Sequence, residues 1–414
     1  MSRNTETKKS GVGKLGVLFV LALATAQFAT TYSQFQLSPI QQNIMREVGM
    51  TASQYVQAFT APMLPAVFLS FVSGLMVDKL GPQRVIGVAL LISVIGGVAR
   101  IWCGSYVPYL LAMACTGLAP AFIHSNSAKI IGPHFPRERL GSALGFALLG
   151  GNLANVFGVS TTAFLPGSIW AYSLSGIFGV LAFCLWLFIC GYTRKQPQPV
   201  STKSEEKYEA TIPLLQMIRT VVRSRITWLV SISMLFMQAY QMTISSTAPS
   251  ALRSLGYSAG TASLMASCLS IGSPVGCLLG PSLLARTKKP RQVLQIMILC
   301  AAVAMPLLWH TTSPVLTLLV MFYSSFCYGT CQVSMMAVPS GLPEIGRRYA
   351  GTAGGLLTTV QMVGAVTLPS WVLVPLAGEN YVFLYCMAGF CMVIAVAVMC
   401  LIPGSALKGG RDRN

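Results

Sequence analysis

Uncharged polar side chains recur inside the long apolar runs of this sequence, and hydrogen bonding to a solute is the chemistry they suit. Polar groups are costly in hydrocarbon, so they should face a cavity or another helix. On two runs they repeat on one helical face. The candidate cavity residues are Gln27, Thr31, Tyr32, Gln34, His124, Asn126, Asn152, Gln238, Gln241, Ser245, Tyr328, Gln332 and Gln361, accompanied by Thr30 and Asn155. Interhelical hydrogen bonding explains any one of them equally well, whereas the set together favours a solute site.

Ionisable groups are sparse within these runs, which limits the reaction chemistry. All ten Asp and Glu residues lie in loops or at the ends of runs, so an embedded carboxylate that carries protons is not expected. His124 is the embedded group that titrates near neutrality. A hydrogen-bonding role is the ordinary one for a lone histidine, and a proton carrier is the alternative.

Enzyme and pump chemistry have no support in the sequence. The three histidines, at 124, 134 and 310, are scattered, and no Gly-x-x-x-x-Gly-Lys-Ser phosphate-binding pattern occurs. The twelve cysteines form no Cys-x-x-Cys pair and are interpreted as small buried apolar residues. We therefore expect neither an enzyme nor an ATP-driven pump, and no metal or cofactor.

The composition is that of an integral membrane protein. Of 414 residues, 54% are hydrophobic and 9% are charged, whereas about a quarter are charged in soluble domains. A spanning helix needs about 20 mainly apolar residues. The sequence predicts such segments at 16–37, 53–77, 84–104, 107–131, 141–165, 168–192, 226–250, 259–285, 292–312, 314–340, 350–376 and 380–403.

The basic residues report topology. Of the 28 Lys and Arg residues, 25 fall at the two termini, in the central break, or in loops that follow even-numbered segments. This bias is the positive-inside rule, and it predicts cytoplasmic termini in a cell (plasma or inner) membrane. The net charge of +18 therefore requires no nucleic-acid partner.

Two cations lie near membrane depth. Arg100 lies toward the end of segment three and Lys129 toward the end of segment four. Snorkelling to the interface is the simpler interpretation for both. If either faced a cavity, it would attract an anion.

The loop after segment two resembles a known signature. Gly74, Asp78, Lys79, Gly81 and Arg84 follow the order Gly-x-x-x-Asp-Lys-x-Gly-x-x-Arg. This pattern, after the second of twelve segments, is similar to the loop between helices two and three of the major facilitator superfamily. Pro82 and Gln83 replace part of the basic cluster usual there.

An internal repeat supports the resemblance. Basic residues precede Gly141/Gly145 and Gly351/Gly355 in corresponding loops, an offset of 210 residues. We expect an all-α integral membrane protein with twelve transmembrane helices in two pseudo-symmetric six-helix bundles. The predicted divisions are residues 1–192, a cytoplasmic central loop at 193–225, and residues 226–414. The two Gly-x-x-x-Gly pairs suit close helix packing and a functional role about equally.

The resemblance implies a mechanism and a gate. Family members bind solute at mid-membrane between halves that expose the site alternately, and helices one, four, seven and ten line the cavity. It also implies that Asp78 meets the amino end of helix eleven, near Arg139, in one conformation.

The expected function is secondary or facilitative transport by alternating access. The expected partners are a small organic solute and the lipid bilayer, with a coupling ion or counter-solute left open, and the protein is expected to be a monomer. A carboxylate-bearing organic anion is the first candidate solute, and efflux of lipophilic compounds or drugs is the alternative.

Overall fold

The computed structural model describes residues 14–135, 137–194, 214–287, 289–311, 313–339, 342, 345 and 350–403. Within these ranges the regular elements are helices. Nine helical stretches in the described ranges are long and apolar enough to span a membrane. Those nine and three further segments, which are short, interrupted or more polar, match the twelve predicted spans.

The described part of the first half contains nine α-helices. They are α1 Lys14–Phe35, α2 Gln41–Val48, α3 Ala52–Thr60, α4 Leu64–Leu80, α5 Pro82–Ala99, α6 Tyr106–Thr116, α7 Leu118–Ile131, α8 Arg137–Thr162 and α9 Ser168–Arg194. Segment two consists of α3 and α4, joined by a 3-10 turn at Ala61–Met63, and segment four consists of α6 and α7. Pro62 and Pro65 explain the first interruption, because proline removes a helical donor.

Eight α-helices are described in the second half. They are α10 Leu214–Arg223, α11 Arg225–Ser254, α12 Ala259–Ala285, α13 Pro290–Ala304, α14 Pro314–Ala337, α15 Ala350–Thr367, α16 Val374–Ala377 and α17 Tyr381–Cys400. A π-helical turn, Leu368–Leu373, joins α15 to α16. Helix α10 is amphipathic and precedes the first spanning helix of this half.

The two halves repeat one packing scheme. Helix α1 packs against α8 and α9, and α11 packs against α15 and α17 in the equivalent way. Helix α4 packs on α7, as α12 packs on α14. We call the end of the bundle that contains Lys14 and Arg225 the proximal end, and the end that contains Phe35 and Leu252 the distal end.

Glycines permit a close helix contact between α12 and α14. A Cβ added at Gly276 would lie 2.1 Å from the Phe326 carbonyl oxygen, and one at Gly329 would lie 2.1 Å from the Ser273 carbonyl oxygen. Small residues let helix backbones approach in lipid. Gly145 and Gly355, by contrast, have no atom within 4 Å of an added Cβ, so these two glycines are not at a close helix contact here.

The distal end is closed. Every residue from Tyr32 to Gln41 is buried, and so is every residue from Met237 to Leu252. One apolar cluster there contains Phe35 and Tyr55 from the first half together with Tyr240 from the second. The proximal parts of α1 and α11 instead alternate between buried and exposed residues. The halves therefore meet tightly at the distal end.

Candidate functional site

Gln27 and His124 form the polar pair of the first half. Gln27 lies on α1 and is buried, and its Nε2 lies 3.2 Å from Nε2 of His124 on α7. The amide nitrogen donates and the imidazole accepts, so this contact requires a neutral His124 with its proton on Nδ1. The His124 side chain is exposed. The pair therefore presents an imidazole for further hydrogen bonding.

A three-residue cluster occupies the second half. The buried Gln238 carbonyl oxygen accepts from the Tyr328 hydroxyl and from Gln361 Nε2, the latter at 2.8 Å. These side chains come from α11, α14 and α15. One oxygen with two donors uses both of its lone pairs. A ligand at this cluster would therefore be recognised through amide N–H groups.

The two clusters lie at equivalent depths. Gln27 and Gln238 each lie thirteen residues beyond the first residue of their helix, about 20 Å along the axis. Gln238, Gln241 and Ser245 form one stripe on α11, where Gln241 Nε2 donates to Ser245 Oγ at 3.2 Å. The backbone carbonyl of Ser245 accepts a hydrogen bond from Ser38 of the first half, so the distal end of this stripe lies beside the boundary between the halves.

Other predicted residues make contacts inside the first half. The Tyr32 hydroxyl lies 3.1 Å from Thr161 Oγ1, and Gln34 Nε2 donates to the Phe59 carbonyl at 2.9 Å. Asn126 is fully buried and donates to Ser73 Oγ at 3.2 Å, between α7 and α4. These three side chains join helices of one half and are not brought into the Gln27 pair.

Three predicted residues have less defined surroundings. Thr31 is half-buried, with its Oγ1 3.4 Å from a Cβ placed at Gly151. Asn152 is exposed and Gln332 is half-buried. The neighbouring Asn155 bridges the halves, because its Oδ1 accepts from Ser270 Oγ on α12 at 2.6 Å.

Arg100 does not snorkel to an interface, because it is 1% exposed and lies inside the first half. Its guanidinium donates to the Gly97 carbonyl at 3.0 Å, the Ser33 carbonyl at 2.9 Å, Ser33 Oγ at 2.6 Å, Ser175 Oγ at 2.8 Å and Met113 Sδ at 3.5 Å. Its Cζ also lies 4.9 Å from the Tyr172 ring centre. All five N–H groups are used, so none is free for a solute.

Helix ends explain this buried charge. Ser33 and Gly97 lie in the last turns of α1 and α5, where carbonyls lack helical donors and the helix dipole is negative. Arg100 stabilises both ends at once. Among the described residues, carbonyl, hydroxyl and thioether groups hold this cation, and no carboxylate does.

The predicted gate lies at the proximal end. Gly74, Asp78 and Arg139 fall within helices α4 and α8, but their side chains lie outside the described part of the structure. Lys79 and Arg84 are exposed, and so is Lys129 on α7. Gly81 separates α4 from α5 with φ of 83°, a conformation that favours glycine.

Hydrogen bonds across the distal closure were not anticipated. Ser38 Oγ donates to the carbonyls of Ser245 at 2.8 Å and Ser246 at 3.3 Å. Ser53 Oγ donates to the Ser370 carbonyl at 2.5 Å, and Ser250 Oγ donates to Gln41 Oε1 at 2.7 Å. The sequence signal available for these contacts was a pair of prolines, Pro249 and Pro375, inside predicted spans.

No metal site is present in the described ranges, since no three His, Cys, Asp or Glu side chains there come together as ligands. The assembled groups are amides, an imidazole and hydroxyls. Such groups bind polar solutes by hydrogen bonding.

Comparison with known proteins identifies the fold and the family. The sequence profile of the Major Facilitator Superfamily matches residues 23–369. No curated protein sequence matches the chain significantly. Among solved structures, a bacterial homolog of the human lysosomal transporter Spinster, inward-facing and unoccupied, has a TM-score of 0.72 at 15% identity, covering 96% of this chain and 97% of that one.

Two further solved structures have the same fold. A D-xylose-proton symporter gives a TM-score of 0.73 at 14% identity over 94% of this chain and 98% of that one. The nucleoside transporter NupG gives a TM-score of 0.73 at 12% identity over 94% and 99%. At these identities the likeness establishes the fold.

Proposed function

Because this chain belongs to the major facilitator superfamily, we propose that it moves a small polar organic solute by alternating access and binds it between the Gln27 pair and the Gln238 cluster. The chain is a multi-pass membrane transporter of small solutes and not an enzyme. The solute class, the site and the orientation are our proposal. The observation that carries it is the equivalent depth of two uncharged polar clusters, one on the first helix of each half.

The chemistry of the site favours an uncharged solute over an organic anion. Arg100, which would have attracted a carboxylate, uses all its donors within the first half. A carboxylate would have to rely on a protonated His124 or on Lys129 toward the proximal end. Hydroxyl, amide and heterocyclic nitrogen groups match the neutral site without either.

The charge distribution orients the proposed transporter. The positive-inside rule places the proximal end, with Lys79 and Arg84, in the cytoplasm and the distal end outside. The closed distal end then corresponds to an inward-facing or occluded state. We place the protein in the cell membrane on the same basis.

Reconstitution into liposomes tests the proposal. The purified protein is first screened by thermal shift against neutral sugars and nucleosides, amino acids, organic acids and lipophilic drugs. Counterflow of the labelled compound then measures transport. We expect a neutral polar compound to shift the melting temperature and to exchange.

Variants then test the site. Gln27→Ala and Gln238→Ala should each raise the KM for counterflow about 2- to 10-fold, the effect of one lost hydrogen bond. Gln42→Ala, at an exposed glutamine on α2, is the matched control and should leave KM unchanged. If only carboxylates exchange, and exchange becomes faster at lower pH, then His124 or Lys129 recognises the solute. Responses only to unrelated lipophiles would favour efflux and contradict a polar-solute site.

A further inference from the structure

Proline leaves a carbonyl group of α11 without its helical donor. Pro249 lies inside the helix and has no N–H, so the carbonyl of Ser245, four residues earlier, lacks its usual partner. Ser38, in the turn after α1, supplies the missing donor at 2.8 Å. The Tyr55 hydroxyl approaches the adjacent Ser246 carbonyl at 3.4 Å. The donors come from one half and the acceptors from the other.

The same arrangement occurs a second time at the π-helical turn. There the Val374 N–H donates to the Pro369 carbonyl, five residues earlier. The donor for the next carbonyl, that of Ser370, would by this spacing be residue 375, which is a proline. Ser53 on α3 donates to this carbonyl at 2.5 Å. Again a serine of the first half satisfies a carbonyl that proline has freed in the second.

We propose that Ser38 and Ser53 are the positioning residues of the distal gate, and that Pro249 and Pro375 specify where they dock. This inference rests on the proposed function, since a gate has meaning only in a transport cycle. A buried carbonyl without a donor is costly. In the closed state, which excludes water from these carbonyls, the serine hydroxyls supply the missing donors and so stabilise closure. When the distal end opens, water replaces the serine hydroxyls.

The groups of this gate are neutral, which separates it from a gate of ion pairs. Hydroxyls donate to backbone carbonyls, and neither group changes charge between pH 5 and 8. Salt screens charged pairs but not such bonds. The contribution of these bonds to closure should therefore be insensitive to ionic strength.

A distance measurement across the distal end tests the gate without any solute, so it stands apart from the test of the proposed function. Spin labels are attached at Asn43→Cys on α2 and Arg253→Cys on α11, two exposed positions on opposite halves, in a background without the native cysteines. Pulsed electron paramagnetic resonance then gives the closed and open populations. Ser38→Ala and Ser53→Ala should each lower the closed-to-open ratio about 2- to 10-fold.

Matched variants separate gating from general destabilisation. Ser246→Ala removes a buried hydroxyl that bonds to Thr243 of its own helix at 3.0 Å, and it should leave the ratio unchanged. Ser38→Thr keeps the hydroxyl and should restore most of the closed population. Equal shifts in Ser246→Ala and Ser38→Ala would overturn the proposal.

A double-mutant cycle tests the role of the proline. Pro249→Ala returns an N–H to the Ser245 carbonyl, so Ser38 should lose its preferred acceptor. We expect Pro249→Ala alone to favour the open state. In the Pro249→Ala background, Ser38→Ala should lower the closed-to-open ratio by less than half as much as it does in the wild type. Full additivity of the two substitutions, or no change of distance in any serine variant, would refute the mechanism.

Discussion

Replacement of Arg100 by lysine should destabilise the folded protein by about 3 to 6 kcal/mol. The guanidinium makes five donor contacts, to Gly97, Ser33, Ser175 and Met113. A lysine has three donors on one nitrogen and cannot span the same acceptors. At least two bonds from a charged donor are lost, each worth about 1.5 to 3 kcal/mol.

The assay is equilibrium unfolding of the purified protein by increasing fractions of SDS in mixed micelles. Arg100→Lys should unfold at a lower SDS fraction than the wild type. Arg253→Lys is the matched control, because Arg253 is exposed at the end of α11, and it should change the unfolding free energy by less than about 0.5 kcal/mol.

A transport assay distinguishes a structural role of Arg100 from a solute-binding role. Since Arg100 is 1% exposed, the folded fraction of Arg100→Lys should retain the wild-type KM. A variant with wild-type stability and a raised KM would refute this reasoning. It would show that the guanidinium contacts the solute and not the ends of α1 and α5.

Three further predictions concern packing, pH and the proximal loop. Gly276→Ala should destabilise the protein by about 1 to 3 kcal/mol in the same SDS assay, because its Cβ would lie 2.1 Å from the Phe326 carbonyl oxygen. The control is Gly355→Ala, which has open space around the added Cβ and should be neutral or stabilising. Burial lowers the pKa of His134, in the loop after α7, from its ordinary 6.5. The contribution of His134 to stability is therefore complete above about pH 6.5 and is lost as the pH falls. His134→Phe should reduce the fall in melting temperature between pH 7 and pH 5, and an unchanged pH dependence would contradict this. Asp78→Asn should leave membrane insertion intact and lower transport, and a normal rate in a well-expressed variant would exclude a gating role.

Sequence periodicity was sufficient for the helices, but it did not show which polar residues come together. Gln27 and Gln238 stand out because a polar residue within an apolar run must have a partner. The interruptions at Pro62 and around Pro369 follow from local chemistry but were not predicted, since hydropathy alone does not register a missing donor. The interruption around Pro369 matters for function, because it contains Ser370, whose carbonyl forms part of the distal closure.

Tertiary contacts decide the features that the sequence left open. The pattern Gly-x-x-x-Gly occurs around both Gly145 and Gly276, yet only Gly276 meets a neighbouring helix backbone. Arg100 lies near a predicted helix end, which suggested an interfacial cation, and its burial depends on the end of α1 lying beside it. The pattern of one segment does not show which residues of another segment will contact it.

The contacts at the distal end fit a reversible step in a transport cycle. Ion pairs buried in a closed gate would cost several kcal/mol per charge to desolvate at each closure. The hydroxyl-to-carbonyl bonds of Ser38 and Ser53 contribute about 0.5 to 1.5 kcal/mol each, and water can replace them on opening. A few such bonds bias the equilibrium toward closure without trapping the protein there. The prolines make this bias specific, because Pro249 and Pro375 leave acceptors only where the two halves must meet.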